Sequence, residues 1–306
     1  MRNRTWALAA QFFFVFILIF SLASSAGQQI LGHGERSMFA GAKATTTQVQ
    51  PADGIKGETH PGEDPKKGIL LDEEFDGNTL GAFTWNTCHW WQDGGCTIAS
   101  NDELEWYLPQ QVSVSNGVLH LTAKRSTIFA SNGKDYPFAS GMVATGPPAY
   151  KTPSKLAFTY GKVDVRFQLP AGRGLWPAIW LLPASEDSRP EIDMLEVTGD
   201  DTGRLRMHLH PKNRSVPSLG KDYLLPKGHS LAGNWHTISL DWSPGELSFF
   251  LDGRQVWQVA GKQVPDEPMY LVMNLAVGGE YPGKPDNSTK FPATFNIDHV
   301  RIQRND

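Results

Sequence analysis

From about Ile69 onward, apolar and polar residues alternate with a period of two. Val163, Val165, Phe167 and Leu169 alternate with Lys162, Asp164, Arg166 and Gln168. Leu205, Met207 and Leu209 alternate with Arg206, His208 and His210, and Leu247, Phe249 and Leu251 repeat the pattern. A β-strand turns successive side chains to opposite faces, so each run predicts a strand with one face in a core and the other in solvent or a cleft. Asn116-Gly117 separates residues 112–115 from 118–123, and Asp252-Gly253 separates 247–251 from 255–259. Both dipeptides favour the pair of positive φ angles in a tight hairpin turn. After residue 68 the chain carries no helical stripe. Many strands joined by short turns predict an all-β fold, an antiparallel β-sandwich or barrel.

The beginning of the chain follows another pattern. Arg2 and Arg4 precede an apolar run from Trp6 to Phe20, broken only by Gln11, and Ser24 and Ala26 put small residues at its exit. This is the layout of a secretory signal peptide over residues 1–26. The alternative is an uncleaved anchor, but the run falls short of the roughly 20 residues that a spanning helix needs. Residues 27–68 hold eight Gly and a single aromatic residue, Phe39, with Pro51, Pro61 and Pro65 spaced among them. Such a segment buries too little to offset its ordering entropy and reads as a disordered linker. The folded domain is expected over 69–306. The expected location is secreted or periplasmic, with no membrane attachment once the leader is removed. In that setting Cys88 and Cys96 could close a small loop, although their spacing alone leaves two free thiols open.

Composition narrows the chemistry. Of 306 residues, 40% are hydrophobic and 20% charged, enough to build a core. The net charge of −4 supplies no basic excess to neutralise phosphates, which argues against a nucleic-acid partner. Ten Trp, 16 Phe and 7 Tyr suit a β-rich core or stacking on flat ligands.

The informative segment is Pro190-Glu-Ile-Asp-Met-Leu-Glu-Val197. On a plain strand Glu191 and Asp193 share a face and Glu196 has the wrong parity. One extra residue, a β-bulge at Met194-Leu195, would return Glu196 to that face. Three crowded acids cannot all ionise at their ordinary values, so at least one should keep a proton to higher pH. Glycoside hydrolysis needs this asymmetry, with one carboxylate to attack and one carboxylic acid to protonate the leaving oxygen. Spacing alone is weak evidence, since by chance it arises roughly 0.3 times in a chain with this acidic content. The apolar residues between the acids, and Trp176 and Trp180 just upstream, strengthen the reading, because indole faces stack on sugar rings.

These residues carry a resemblance. Glu-Ile-Asp-Met-Leu-Glu, preceded by Leu-Trp-Pro-Ala-Ile-Trp-Leu-Leu-Pro, resembles glycoside hydrolase family 16, in its bulge-containing, laminarinase-like branch. Asn-Asp-Glu-Leu-Glu-Trp-Tyr at 101–107 is similar to a cleft motif of the family, and 160–166, 274–279 and 298–301 are similar to other strands. The resemblance implies a curved, concanavalin-like jelly roll. It implies a retaining endo-β-glycosidase with Glu191 as nucleophile, Glu196 as general acid/base and Asp193 as their helper. It further suggests Asn101, Glu103, Arg166, Trp176, Trp180 and His210 as substrate-binding residues, with His210 near the acid/base. The expected substrate is an internal linkage of β-1,3- or mixed β-1,3/1,4-glucan, and the expected form is a monomer. Exopolysaccharide processing or transglycosylation by the same fold is the alternative, with a non-catalytic carbohydrate-binding module behind both. Tyr281 stands where the family pattern has Trp, and Pro190 where it usually has Gly.

Three smaller readings complete the picture. His208-Leu-His210 lacks a third ligand at metal spacing along the chain, so one cleft histidine and one solvent histidine are expected rather than a metal site. No cofactor is expected beyond a possible structural calcium, for which Glu74 and Asp298 are the candidates; calcium takes six to eight oxygens. Trp85, Trp90 and Trp91 on one loop suggest a groove wall.

Overall fold

The computed structural model describes residues 68–88, 96–185 and 187–305. The expected leader, and the expected linker up to residue 67, lie outside the described residues, as do His89, Trp90 and Trp91. The strands, in chain order, are β1 (Ile69–Glu73), β2 (Glu105–Tyr107), β3 (Val112–Ser115), β4 (Val118–Phe129), β5 (Asp135–Ser140), β6 (Met142–Ala144), β7 (Gly161–Gln168) and β8 (Leu175–Pro183). They continue as β9 (Glu191–Glu196), β10 (Arg204–His210), β11 (Leu219–Leu224), β12 (His236–Ser243), β13 (Glu246–Leu251), β14 (Arg254–Ala260), β15 (Met269–Val277) and β16 (Ala293–Gln303). Helix among the described residues is limited to two 3-10 turns, at Ala99–Asn101 and Pro109–Gln111.

The strands form two sheets. One runs β14-β13-β12-β7-β16-β4-β5-β2, with β1 added on β16 and β3 on β4. The other runs β11-β10-β9-β8-β15-β6. Pairing is antiparallel except where β2 joins β5 in parallel. The expected hairpins are present. Asn116 and Gly117 sit at φ 54° and 72° between β3 and β4, and Asp252 and Gly253 at 50° and 77° between β13 and β14. Asparagine, aspartate and glycine tolerate this region where branched side chains do not.

The period-two pattern explains how the sheets face each other. Val163, Val165 and Phe167 of β7 and Leu205, Met207 and Leu209 of β10 are fully buried in one shared core. Each such side chain contributes roughly 1.5–3 kcal/mol by leaving water. A second, smaller cluster lies on the outer face of the six-stranded sheet. There Ile98 and Tyr107 cover Ala178, Trp180, Leu182, Tyr270 and Val272.

Trp85 corrects an expectation. It is 2% exposed, packs on Phe75 and donates its indole N–H to Glu73 Oε2 at 3.1 Å. It is a core residue, because a carboxylate on β1 meets the one polar atom that its burial would otherwise strand. Cys88 and Cys96 are bonded to each other, with their Cα atoms 4.9 Å apart.

Candidate active site

The three carboxylates lie on β9, inside the six-stranded sheet. Against β8, Trp180 pairs with Asp193 but Ile179 pairs with Leu195, so Met194 is the extra residue of a bulge. The opposite neighbour slips at the same point, with His208 facing Asp193 and Arg206 facing Glu196. Met194 and Leu195 are both buried in the core. Glu191, Asp193 and Glu196 therefore emerge together on the outer face. They line one cavity of about 250 Å³ with Asn101, Glu103, Trp176, Trp180 and His210.

Arg166 is not among those residues. It lies on β7, in the other sheet, bonded to Asp298 and stacked on Trp235. Its parity places it opposite the buried Val165 and Phe167, so its side chain leaves the sandwich on the far side. The arginine among the lining residues is Arg189, two residues before the first acid.

The histidines also differ from expectation. Moving from Glu191 to Glu196 along β9 moves backwards along antiparallel β10. His208 lies opposite Asp193 in this register, and its side chain reaches on to Glu196, with Nδ1 2.5 Å from Oε2. His210 instead places Nε2 3.2 Å from Asp193 Oδ2, and its Nδ1 lies 2.7 Å from Ser218 Oγ. Both face the acids, and neither is a solvent histidine. Equal parity on one strand was the signal for this.

Burial shapes the electrostatics. Desolvation pushes the Glu191 carboxyl well above its ordinary range, and the charge of Asp193 adds to it. Asp193, 4% exposed, is raised well above its range by burial and then by Glu196. The pair thus holds a proton where exposed carboxyls have lost theirs. The bond to Glu196 raises His208, whereas burial lowers His210.

A buried polar chain supports the cavity floor. Trp180 Nε1 donates to Asn274 Oδ1 at 2.8 Å, and Asn274 Nδ2 donates to the Tyr107 hydroxyl at 2.9 Å. Tyr107 donates to Glu103 Oε2 at 3.3 Å, and Asn101 Nδ2 donates to Glu103 Oε1 at 2.9 Å. Glu103 is thus a support beneath Trp180 as well as part of the lining. Asn274 was not singled out from sequence, yet it is a lone polar residue in nine otherwise apolar or aromatic positions of β15, all buried. A buried amide of that kind needs partners. Glycines let the chain close around this segment. Cβ atoms at Gly278 (φ 76°) and Gly279 (φ 103°) would lie 2.5 Å from Leu104 Cδ1 and from the Asn101 carbonyl. Just beyond, Tyr281 is 46% exposed and meets Trp176 at 5.1 Å, with the Arg206 guanidinium over its ring.

The sequence profile of glycosyl hydrolases family 16 matches residues 100–301. The chain belongs to that family. Among family 16 relatives, glucan endo-1,3-beta-glucosidase A1 of Niallia circulans is 32% identical over 266 residues, covering 77% of this chain and 38% of the relative. An endo-1,3-1,4-beta-glycanase of Rhizobium meliloti is 30% identical over 229 residues, covering 71% of this chain and 47% of the relative. The match therefore spans less than half of either relative. The catalytic domain of an endo-1,3-beta-glucanase (laminarinase) from Thermotoga petrophila is similar with a TM-score of 0.69 at 30% identity, covering 78% of this chain and 98% of that one. The family's jelly-roll sandwich is the fold described above.

The calcium candidates stand apart from this cavity. Glu74 Oε1 lies 3.4 Å from His299 Nε2, and Asp298 already carries the Arg166 guanidinium. Two such carboxyls supply at most four of the six to eight oxygens that calcium takes.

Proposed function

We propose that this family 16 chain cleaves internal linkages of a β-glucan, of β-1,3 or mixed β-1,3/1,4 type, with retention of configuration. One observation carries the reading. A bulge turns three carboxyls to one cavity face, with histidines on two of them and indoles alongside. The activities for which these relatives are named support the choice of glucan.

In the first step the Glu191 carboxylate bonds to the anomeric carbon while the glycosidic C–O bond breaks. The departing oxygen takes a proton from Glu196. In the second, water attacks the same carbon, gives its proton to Glu196 and releases Glu191. Asp193 accepts the proton of the buried pair while Glu191 is charged, so the nucleophile need not ionise beside a second charge. His208 fixes the direction in which the Glu196 carboxyl points. Trp176, Trp180 and Tyr281 offer faces for sugar rings.

We also infer an extracytoplasmic site of action for a monomer. The leader-like pattern of residues 1–26 and the Cys88–Cys96 bond support an oxidising compartment.

Glu191→Gln and Glu196→Gln should each lower laminarin hydrolysis by roughly 100- to 10,000-fold with the circular dichroism spectrum retained. Azide separates the roles. With an activated aryl glucoside, Glu196→Ala plus azide should yield the β-glucosyl azide, and Glu191→Ala plus azide the α-anomer. The reverse pattern exchanges the roles, and unchanged turnover in either Gln variant removes the assignment.

A further inference from the structure

The sequence shows no third ligand beside His208-Leu-His210, but the sheet supplies one from the neighbouring strand. Asp193, His208 and His210 each offer a ligand atom, and these atoms lie within 4.8 Å of one another. His210 Nε2 is 3.2 Å from Asp193 Oδ2, and His208 Nδ1 is 4.0 Å from the same oxygen. Tetrahedral ligands at about 2.0–2.2 Å from a metal sit about 3.3–3.5 Å apart. The first spacing lies about 0.1 Å below this range, and the second needs a contraction of about half an ångström, within side-chain reach.

Two features beyond the cluster fit a ligand role. Metal-bound imidazoles are oriented by a bond to the other ring nitrogen. Ser218 Oγ provides that bond at His210 Nδ1, leaving Nε2 toward Asp193. His208 is backed by Gly220 on β11, where an added Cβ would lie 2.6 Å from the ring Cδ2 and 3.0 Å from Nε2. The ring therefore presents Nδ1 to the acids, with Glu196 Oε2 2.5 Å away as a fourth donor.

We propose that Asp193, His208 and His210 form a binding site for a first-row divalent transition metal ion, zinc or copper, and that its occupancy switches the glucanase off. Two imidazoles and carboxylate oxygen suit zinc and copper, whereas calcium and magnesium prefer all-oxygen cages. A cation here draws its charge balance from Asp193 and takes His208 from Glu196. Glu196 then loses the side chain that sets its direction, and the cation occupies the carboxyl that stands between the two catalytic glutamates on β9. The inhibitory half of the proposal rests on the glucanase reading; the binding half does not.

The test uses the untagged chain, stripped with a chelator and then titrated with Co²⁺ followed by Zn²⁺ competition. One equivalent of cobalt should develop the visible absorption of a four-coordinate N/O site, and zinc should displace it. His208→Gln and His210→Gln, with circular dichroism checked, should each weaken zinc binding at least about tenfold. His120→Gln, at a histidine bonded to Ser115 and Asn296 on the other sheet, should leave it unchanged. His299→Gln controls for the exposed Asp72, Glu74 and His299 group. Zinc should inhibit laminarin hydrolysis over the range in which it binds, and equimolar calcium should not. The site is refuted if no stoichiometric binding occurs, if binding survives both histidine changes, or if it follows His299. Zinc that binds as stated without lowering turnover overturns the switch. A metal-free chain that binds zinc but cleaves no glucan leaves the site standing and removes the proposed function instead.

Discussion

Glu105 offers a measurement that bears on the fold and the cavity together. Its carboxyl is fully buried, with Oε2 accepting the Val277 N–H at 2.7 Å and Oε1 without an N–H or hydroxyl donor. Burial pushes it well above its ordinary range, and the charge of Glu103 adds to this. Glu105 therefore holds its proton to higher pH in the folded chain than an exposed glutamate does. Below the ordinary glutamate value of 4.5, folded and unfolded chains are both protonated, and the stabilising contribution is whole. Above it the unfolded chain loses the proton first. The folded chain then binds more protons, and stability falls as pH rises until Glu105 itself ionises. Each pH unit over which the states differ by one proton costs about 1.4 kcal/mol. In urea this is a midpoint shift of about 0.5 M per unit, taking a slope near 3 kcal/mol/M. In Glu105→Gln the amide donates toward Glu103 and its oxygen still accepts from Val277, but nothing titrates. Urea unfolding followed by tryptophan fluorescence across a pH series should show the two proteins together at low pH, diverging above 4.5, with the variant more stable. Parallel curves, or a variant that weakens as pH rises, would refute the assignment of the proton.

Further outcomes follow from other contacts. Trp180→Phe leaves the buried Asn274 Oδ1 without its donor and should cost roughly 1–3 kcal/mol in urea unfolding; it should also raise KM for laminarin. Arg166→Ala, on the far sheet, should leave kcat and KM unchanged and alter stability by less than about 1 kcal/mol, because its ion pair is solvent-exposed. A change in either kinetic constant would return Arg166 to the cleft. Phe167→Ala opens a cavity between the sheets and should cost about 3–5 kcal/mol, read as a lowered urea midpoint.

The fold was legible where local signals decide it. Alternation in β7 and β10 separated buried from more open faces, and Asn116-Gly117 and Asp252-Gly253 marked turns that need positive φ. The bulge at Met194 was legible because three acids in that spacing share a face only with one residue looped out. Alternation shows that a strand has two faces but not which sheet it joins. That is why Arg166, in a correctly placed strand, was expected in the cleft. The register of one strand against the next is equally silent in the chain, so His208 was separated from Glu196 and Asp193 was not seen as a neighbour of both histidines. Trp85 shows the same limit for burial. Its partner, Glu73, is twelve residues away and belongs to another element.

The order of strands also bears on how this chain behaves in concentrated solution. An unpaired strand edge is a template for another chain, and β-proteins aggregate through such edges. The six-stranded sheet ends on one side in β6, three residues long, with the Ala144 carbonyl and amide both bonded to Asn86. On its other side β11 presents Lys221 and Asp222, both exposed, and β14, at one end of the larger sheet, begins with exposed Arg254 and Gln255. Charge, shortness and a covering loop thus blunt the edges by which two sandwiches would zip together. The cavity that holds the three carboxyls thus lies on a sheet whose two edges offer a second copy little to pair with.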